Sequence, residues 1–493
     1  MKTVPSRLPP AYEGENKSAL IYRMLKESIL TGQLKAGIRL PPERDYAQIL
    51  GVARGTVNAA YNRLRDEGYV QSRTGDGTYV STVTLPAAGK GRESSGKTGQ
   101  LSRRGAGLSS YLPEWGNAPP DRSLPFRLGQ PAAELFPFRR WHGLLRDMPD
   151  PVAHRLADYH GSSGYVRLRE ALAEVVFLSR GINCGAEDLI VTNGAQQGLS
   201  MLFTVLCDAG DRVAIEDPCY PGSVAAMKAA GLVPVPIPVD AEGLRVDALE
   251  RLQGIRAVVV SPTHQFPLGY QLKLNRRLAL LAWAQQNDAW IVEDDYDGEF
   301  QYNFNAVPSL KNLDSEHRVA YVGSFSKTLF PSIRLGFVVA SPAVVKGLGR
   351  AKAIADRFSS IEAQWCLYKF IESGDYLRHL RRMRNVYSRR RASFVEHAST
   401  IFGESAFADL PNAGLHICVS LDSEIDDIAI CEAAATHGID IAPISAYCIT
   451  AKRKGLLFGF AGFAEKDASS ALRLFKPVWR RLTAGVTRGI AHA

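Results

Sequence analysis

Apolar residues recur at helical spacing three times near the start of the chain and then give way to a hairpin. Between Ser18 and Thr31, Leu20, Ile21, Met24, Leu25, Ile29 and Leu30 keep that spacing, and Gly32 ends the run. Pro42 and Glu43 suit the first turn of a second helix in PPERDYAQIL, whose Ala47, Ile49 and Leu50 are expected to face a core. After a turn at Gly51 to Ala53, Arg54 to Glu67 predicts a third helix. Val57, Ala60, Tyr61 and Leu64 lie on one side of it, and Arg54, Thr56, Asn58 and Arg63 elsewhere on its surface. GYVQSRTGDGTYVS then reads as two short strands around a Gly-Asp-Gly tip. Three short helices and a basic hairpin form a winged helix-turn-helix, whose third helix can enter a major groove while the wing meets backbone or minor groove. The competing reading is a helical dimerisation or peptide-binding module.

From Leu85 the composition turns rich in Gly and Ser, with too little apolar surface to order itself, which predicts a flexible basic linker over 85–120. Arg103 and Arg104 could add phosphate contacts there. The expected domains are therefore 1–84, a DNA-binding head, and 121–493. In the latter, short apolar strands alternate with amphipathic helices. DLIVTNGAQQGLSMLFTVLCDAGD puts a strand at Leu189 to Thr192, followed by a turn and a helix, and AVVVSPTHQFPLG, AWIVEDDYDGEFQY and RVAYVGSFSKTLFPSIRLGFVVA supply more such units. That alternation predicts an α/β domain with a mainly parallel sheet and its site at the strand C-termini.

Charge sharpens this division. The net +9 sits almost wholly in the front part, with seventeen basic against nine acidic residues up to Gly107, an asymmetry compatible with nucleic-acid binding. Seven scattered cysteines form no C-x-x-C pair, no apolar h-region opens the chain and no apolar run reaches spanning length, so a cytoplasmic, reducing setting is expected.

Candidate chemistry collects at the predicted strand ends: Tyr220, Asp294, Tyr296, Lys327 and Arg334, with Ser324 and Ser326 beside the lysine. A lysine amine can condense with an aldehyde, an acid can pair with a pyridine nitrogen, and an aromatic ring can cover a cofactor face. Serines, an arginine and the backbone donors of Asn193 to Gln196 suit a phosphate. Asp294 and Asp295 should point oppositely from their strand, and spacing alone does not say which faces the site.

The front motifs, LPPER, RGTV and GYVQSRTGDGTYV, resemble the DNA-binding domain of the GntR superfamily. From about Pro125 to Val486, TNGAQQGL, SPTHQFPLG, EDDYDGEF and SFSKTLFPSIRLG resemble fold-type I pyridoxal-phosphate enzymes of the aspartate aminotransferase kind. The fusion is similar to the MocR/GabR regulators over essentially the whole chain. The resemblance implies a multidomain protein: an α+β winged head, then an α/β transferase fold with a smaller α+β C-terminal subdomain. It implies that Arg44, Arg54, Thr56 and Arg73 contact DNA while Gly75 and Gly77 shape the wing tip. It implies pyridoxal phosphate on Lys327 as a Schiff base, Asp294 on the pyridine nitrogen and Tyr296 on the phenolate oxygen. Tyr220 would stack on the ring, Arg334, Ser324, Ser326, Ala195 and Gln196 would hold the phosphate, and His264 would lie near the ring.

A head-to-tail homodimer on repeated or palindromic half-sites follows from the same resemblance, with pyridoxal phosphate, an amine or an amino acid as effector. Two departures bear on the ligand: Leu457 and Gly222 stand where arginines that bind substrate or effector carboxylates would be expected. Function is thus expected to be transcription regulation without physiological catalysis. A true aminotransferase carrying a DNA-binding head and a cofactor-dead dimerisation scaffold are the alternatives.

Overall fold

The computed structural model describes residues 4–12, 14–81, 101–108, 124–302, 308–408 and 410–483. Two compact units divide the chain, residues 1–100 and 101–493. In the first, α1 (Lys17–Leu30) starts at Asn16, whose side chain accepts from the Ala19 amide at 2.9 Å, an N-cap that satisfies an orphan donor. It is followed by α2 (Glu43–Leu50), α3 (Arg54–Asp66) and an antiparallel hairpin of β1 (Val70–Arg73) and β2 (Gly77–Val80), so the predicted winged helix-turn-helix is present. Ile21, Leu25, Tyr46, Val57, Tyr61 and Leu64 form its core with Val70 and Val80. One expected core position, Ile49, is instead exposed, and so is Leu30 at the end of the first apolar run. Ile49 lies two residues past buried Ala47, on the opposite side of a helix whose inner face is fixed by Tyr46 packing on Tyr61. Leu30 follows buried Ile29 at the open end of α1.

Most of the expected linker lies outside the described residues, as does the side chain of Arg103. Residues 101–108 hold a short helix, Arg103–Gly107, capped by Ser102, and the Arg104 guanidinium donates to the Ala229 carbonyl. This stretch therefore packs onto the second unit.

The second unit is built on an eight-stranded sheet in the order β3 (Leu189–Thr192), β10 (Gly336–Val339), β9 (Val319–Ser324), β8 (Trp290–Asp295), β7 (Ile255–Val260), β4 (Arg212–Asp217), β5 (Val233–Asp240), β6 (Gly243–Leu244). The neighbours from β9 through β5 are parallel, while β10 runs antiparallel to β3 and β9. Both faces are covered, which is why the strands read as continuous apolar runs. Val213 and Ile215 pack to one side with the helix Ala195–Leu206, and Ala214 and Val258 to the other with Leu280 and Trp283. A smaller antiparallel sheet, β11 (His416–Leu421), β13 (Lys454–Gly459) and β12 (Ala442–Pro443), carries the helices Asp375–Phe402, Asp427–Ala435 and Glu465–Thr483. No helix among the described residues is long and apolar enough to cross a membrane.

Candidate functional site

Strand register brings the predicted residues to one end of the large sheet. Gly336 pairs with both Thr192 and Ser324, and Asp295 pairs with Gly323. The turn after β3, the entry to β10 and the turns after β8 and β9 therefore share an edge. The helix after β3 starts at Ala195, with Gly194 at φ 84° as its cap. Arg334 Nη2 donates to the Asn193 carbonyl at 2.9 Å, and a Cβ placed on Gly194 would lie 3.4 Å from the guanidinium carbon. A helix N-terminus and an arginine thus converge beside the register position of Ser324, whose hydroxyl accepts from the Ser326 amide at 3.2 Å, and such groups suit a phosphate. Arg334 itself holds φ 50°, a left-handed conformation costly for a non-glycine residue and typical of functional sites. Gly336 is obligatory: a Cβ there would sit 2.9 Å from the Ala195 amide nitrogen. Gln196 contributes its backbone to the helix start, while its side-chain amide donates to the Gly222 carbonyl at 2.8 Å.

The two adjacent acids separate cleanly. Asp295 accepts from Arg180 Nε at 2.5 Å and from the Tyr321 hydroxyl at 2.8 Å, all within the interior. Asp294 faces the site instead, buried, with Oδ1 unpartnered. Burial, reinforced by Asp295 and Asp297 and opposed by Lys327, pushes its carboxyl up to about 7. A buried acid without a partner is what a pyridinium nitrogen would satisfy.

Lys327 Nζ donates to the Gly129 carbonyl at 2.8 Å. Burial draws its pKa below the usual lysine value against the pull of Asp297 and Asp294. This raises the share of neutral, nucleophilic amine. The residues present fit an aldehyde cofactor bearing a phosphate and a pyridine nitrogen. Tyr220, at the start of the helix Pro221–Ala229, keeps 41% of its surface exposed and packs edge-on to Phe266.

His264 and Tyr296 meet each other. The Tyr296 hydroxyl lies 2.8 Å from His264 Nδ1, which also lies 3.1 and 3.2 Å from the two Asp297 oxygens. An ionised carboxylate only accepts, so Nδ1 carries the imidazole proton and donates toward Asp297, and the tyrosine oxygen accepts a share. Burial, with Asp297 and Asp294, holds the Tyr296 phenol well above its usual pKa, so its own proton remains available to a ligand oxygen. The histidine ring is wedged by glycines: a Cβ on Gly414 (φ 85°) would fall 1.9 Å from Cε1.

In the head, Arg44, Arg54 and Arg73 are exposed and Thr56 is half-buried at the start of α3. Glu43 links the two helices, lying 3.5 Å from Arg54 Nε and accepting from Asn58 Nδ2 at 2.8 Å. Arg73 stacks 4.5 Å over Tyr79, and Gly75 and Gly77 take φ 78° and 127° at the wing tip.

Two family descriptions match the chain: bacterial regulatory proteins of the gntR family over residues 17–80, and aminotransferase class I and II over residues 146–452. The "Probable rhizopine catabolism regulatory protein MocR" of Rhizobium meliloti is 37% identical over 469 residues, 94% of this chain and 93% of that one. The chain belongs to the MocR-type GntR regulators with a fused aminotransferase-like domain. The regulator TauR of Rhodobacter capsulatus is 36% identical over 402 residues, 78% of this chain and 80% of that one. Among solved structures, the α-aminoadipate aminotransferase LysN of Thermus thermophilus, complexed with N-(5'-phosphopyridoxyl)-L-leucine, superposes with a TM-score of 0.68 at 25% identity, covering 78% of this chain and 96% of that one.

Within this MocR-type architecture, both positions singled out for lacking an arginine are closed. Leu457 is fully buried in an apolar cluster with Val239, Leu268, Ala442 and Ile444. A Cβ on Gly222 would lie 2.4 Å from Gln196 Oε1 and from the Tyr220 ring. Residues that motif reading passed over are Gly129, Asp297, Gly414 and, on the wing, Arg39. The guanidinium of Arg39 lies so close to Gly77 that a Cβ there would fall 2.8 Å from Nε. Asn58 and Arg63, expected to be available on α3, are committed: Asn58 to Glu43, and Arg63 to Glu67 at 3.2 Å and to the Tyr22 ring. Arg54→Ala is therefore expected to cost about 1–3 kcal/mol of specific DNA affinity. Arg63→Ala should leave that affinity nearly unchanged, as read by anisotropy on a promoter fragment the full chain retains.

Proposed function

We propose that this MocR-type regulator uses pyridoxal phosphate, held covalently at Lys327 and alone or together with an amine effector, to control DNA binding by its winged head. The observation that carries the reading is the meeting of a half-buried lysine, its pKa lowered by desolvation, with a buried acid, Asp294, whose Oδ1 has no partner, in a chain that also carries a GntR-type head. Bound there, the cofactor would supply an electrophilic aldehyde carbon to amines. Asp294 would pair with its ring nitrogen, Tyr296 would donate its hydroxyl proton to the phenolate oxygen, with His264 at its side, and Tyr220 would cover one ring face. The helix start at Ala195 and Gln196, with Arg334, Ser324 and Ser326, would hold the phosphate. In the head, Arg44, Arg54, Thr56 and Arg73 would meet DNA around the wing shaped by Gly75 and Gly77.

Homodimerisation, with two-fold related half-sites in the operator, fits the family and a cytoplasmic regulator. A coupling of a few kcal/mol between the two units would suffice for regulation. The apolar burial of Leu457 and the filled space at Gly222 weigh against physiological transamination, since neither position offers an arginine to a substrate carboxylate.

The test is paired: absorbance of the purified full chain with pyridoxal phosphate, and DNA affinity with and without it and with candidate amines. A new long-wavelength band, together with a change of at least about fivefold in DNA affinity on addition of cofactor or amine, is expected. A band without any effect on DNA, combined with steady turnover of an amino donor and a keto acid, would establish the enzyme reading instead.

A further inference from the structure

Around the amine of Lys327 the described side chains include the acids Asp294 and Asp297 and a set of aromatic rings. Phe266 stands at the centre of the aromatic set. Its ring lies 5.3 Å from Tyr447, 5.5 Å from His416, 5.8 Å from Tyr296 and 6.0 Å from Tyr220, edge-on to each. Phe266, Tyr296 and Tyr447 are half-buried and Tyr220 is exposed, so the set lines an opening and does not merely fill a core. Behind Tyr447 the wall continues as one apolar cluster containing Leu128 and Leu457, and Leu128 immediately precedes the glycine whose carbonyl holds Lys327.

The polar groups set the sign of the charge this opening accepts. His416 Nε2 donates to the Pro267 carbonyl at 2.9 Å, and burial lowers its pKa to about 4, so the ring is neutral at physiological pH. Asp294 and Asp297 both act on Lys327. Of the nearby basic side chains, Arg127 pairs with Asp440 at 2.6 Å and Lys454 with Asp427 at 3.0 Å, while half-buried Arg453 donates to the Val239 carbonyl at 2.6 Å. Arg334 belongs to the helix start at Ala195. A carboxylate or sulfonate carried into this opening would lose its water among ring edges and beside Asp297. A protonated amine, by contrast, is drawn toward the acids and tolerated by aromatic faces.

We infer that the effector is a primary amine with an uncharged, largely apolar tail, lacking any carboxylate or sulfonate. The inference rests on the proposed function, because it concerns the ligand that reaches Lys327, and it narrows that ligand to one charge class.

Matched pairs test it on the full chain loaded with pyridoxal phosphate: phenethylamine against phenylalanine, tyramine against tyrosine, with 4-aminobutyrate and taurine alongside. The readouts are the cofactor absorbance spectrum and DNA affinity. Each amine is expected to act at a concentration at least about tenfold below that of its carboxylate-bearing partner. Tyr447→Arg, which places a guanidinium on a half-exposed wall, is expected to narrow or reverse that preference. Amino acids acting as well as the amines, or no amine perturbing a cofactor that is bound, overturns the inference and leaves the cofactor reading standing. A chain that takes up no cofactor at all overturns both.

Discussion

Asp295→Ala is expected to cost about 3–5 kcal/mol of stability in the second unit, while the same change one residue earlier costs none. Asp295 is one of two carboxylates facing the buried Arg180 guanidinium, the other being Glu299 at 3.4 Å, and it also accepts the Tyr321 hydroxyl. Its removal leaves the guanidinium with Glu299 alone and takes the acceptor from the Tyr321 hydroxyl, in a place that burial keeps from water. Asp294 has no such partner, and its folded pKa of about 7 lies far above that of an unfolded aspartate. An acid with a raised folded pKa binds its proton more tightly in the folded state. The contribution of Asp294 to the stability of the cofactor-free protein is therefore gained as pH falls from about 7 toward 4 and becomes a penalty above that window.

Asp294→Asn should accordingly raise cofactor-free stability at pH 8, by on the order of a few kcal/mol, and flatten its pH dependence. The flattening will be incomplete, because buried Glu216 and Glu293 are pushed to about 8 and about 7 and titrate in the same direction. The same substitution should weaken cofactor binding, since a neutral amide pairs poorly with a pyridinium. Denaturant titrations at pH 5.5 and pH 8, with cofactor binding followed by absorbance, check both variants. An Asp295→Ala protein as stable as the parent would remove the assignment of roles to the pair.

Much of this was legible in the sequence, and the failures have physical causes. The strand Leu189–Thr192 was predicted at its observed bounds, because a short apolar run ending in a glycine-containing turn before a helix has few other readings. The core face of α3 was equally plain, since Val57, Ala60, Tyr61 and Leu64 repeat at helical spacing. Ile49 was misplaced because an eight-residue helix offers too few turns for periodicity to fix its inner face. The Asp294/Asp295 choice needed the position of Arg180, at the end of a helix that precedes β3 and is remote from the motif in sequence. Gly129 was invisible for the same reason: it touches Lys327 across 198 residues of chain. Asp297 and Gly414 act on the His264 ring, and side-chain contacts of that kind leave no periodic signal.

Lys327→Ala should abolish covalent retention of the cofactor and lower its apparent affinity by roughly two orders of magnitude, about 2.7 kcal/mol. The proposed phosphate cradle at Ala195, Arg334, Ser324 and Ser326 and the acid at Asp294 are untouched by the change, so weak noncovalent binding should persist. Lys327→Arg separates charge from reactivity: it keeps a cation beside Asp294 and Asp297 but offers no amine able to condense with an aldehyde. Both variants should lose the long-wavelength band and the label left by borohydride reduction, and neither should respond to amines in DNA-binding assays. Their cofactor-free DNA affinity should match that of the parent, because α3 and the wing belong to a separate compact unit with its own core. In the parent, covalent capture should slow as pH falls and the amine is protonated; its lowered pKa keeps capture efficient near neutrality, where an ordinary surface lysine is almost wholly charged. A labelled peptide that persists after reduction of the Lys327→Ala protein would move the attachment point elsewhere and overturn the assignment.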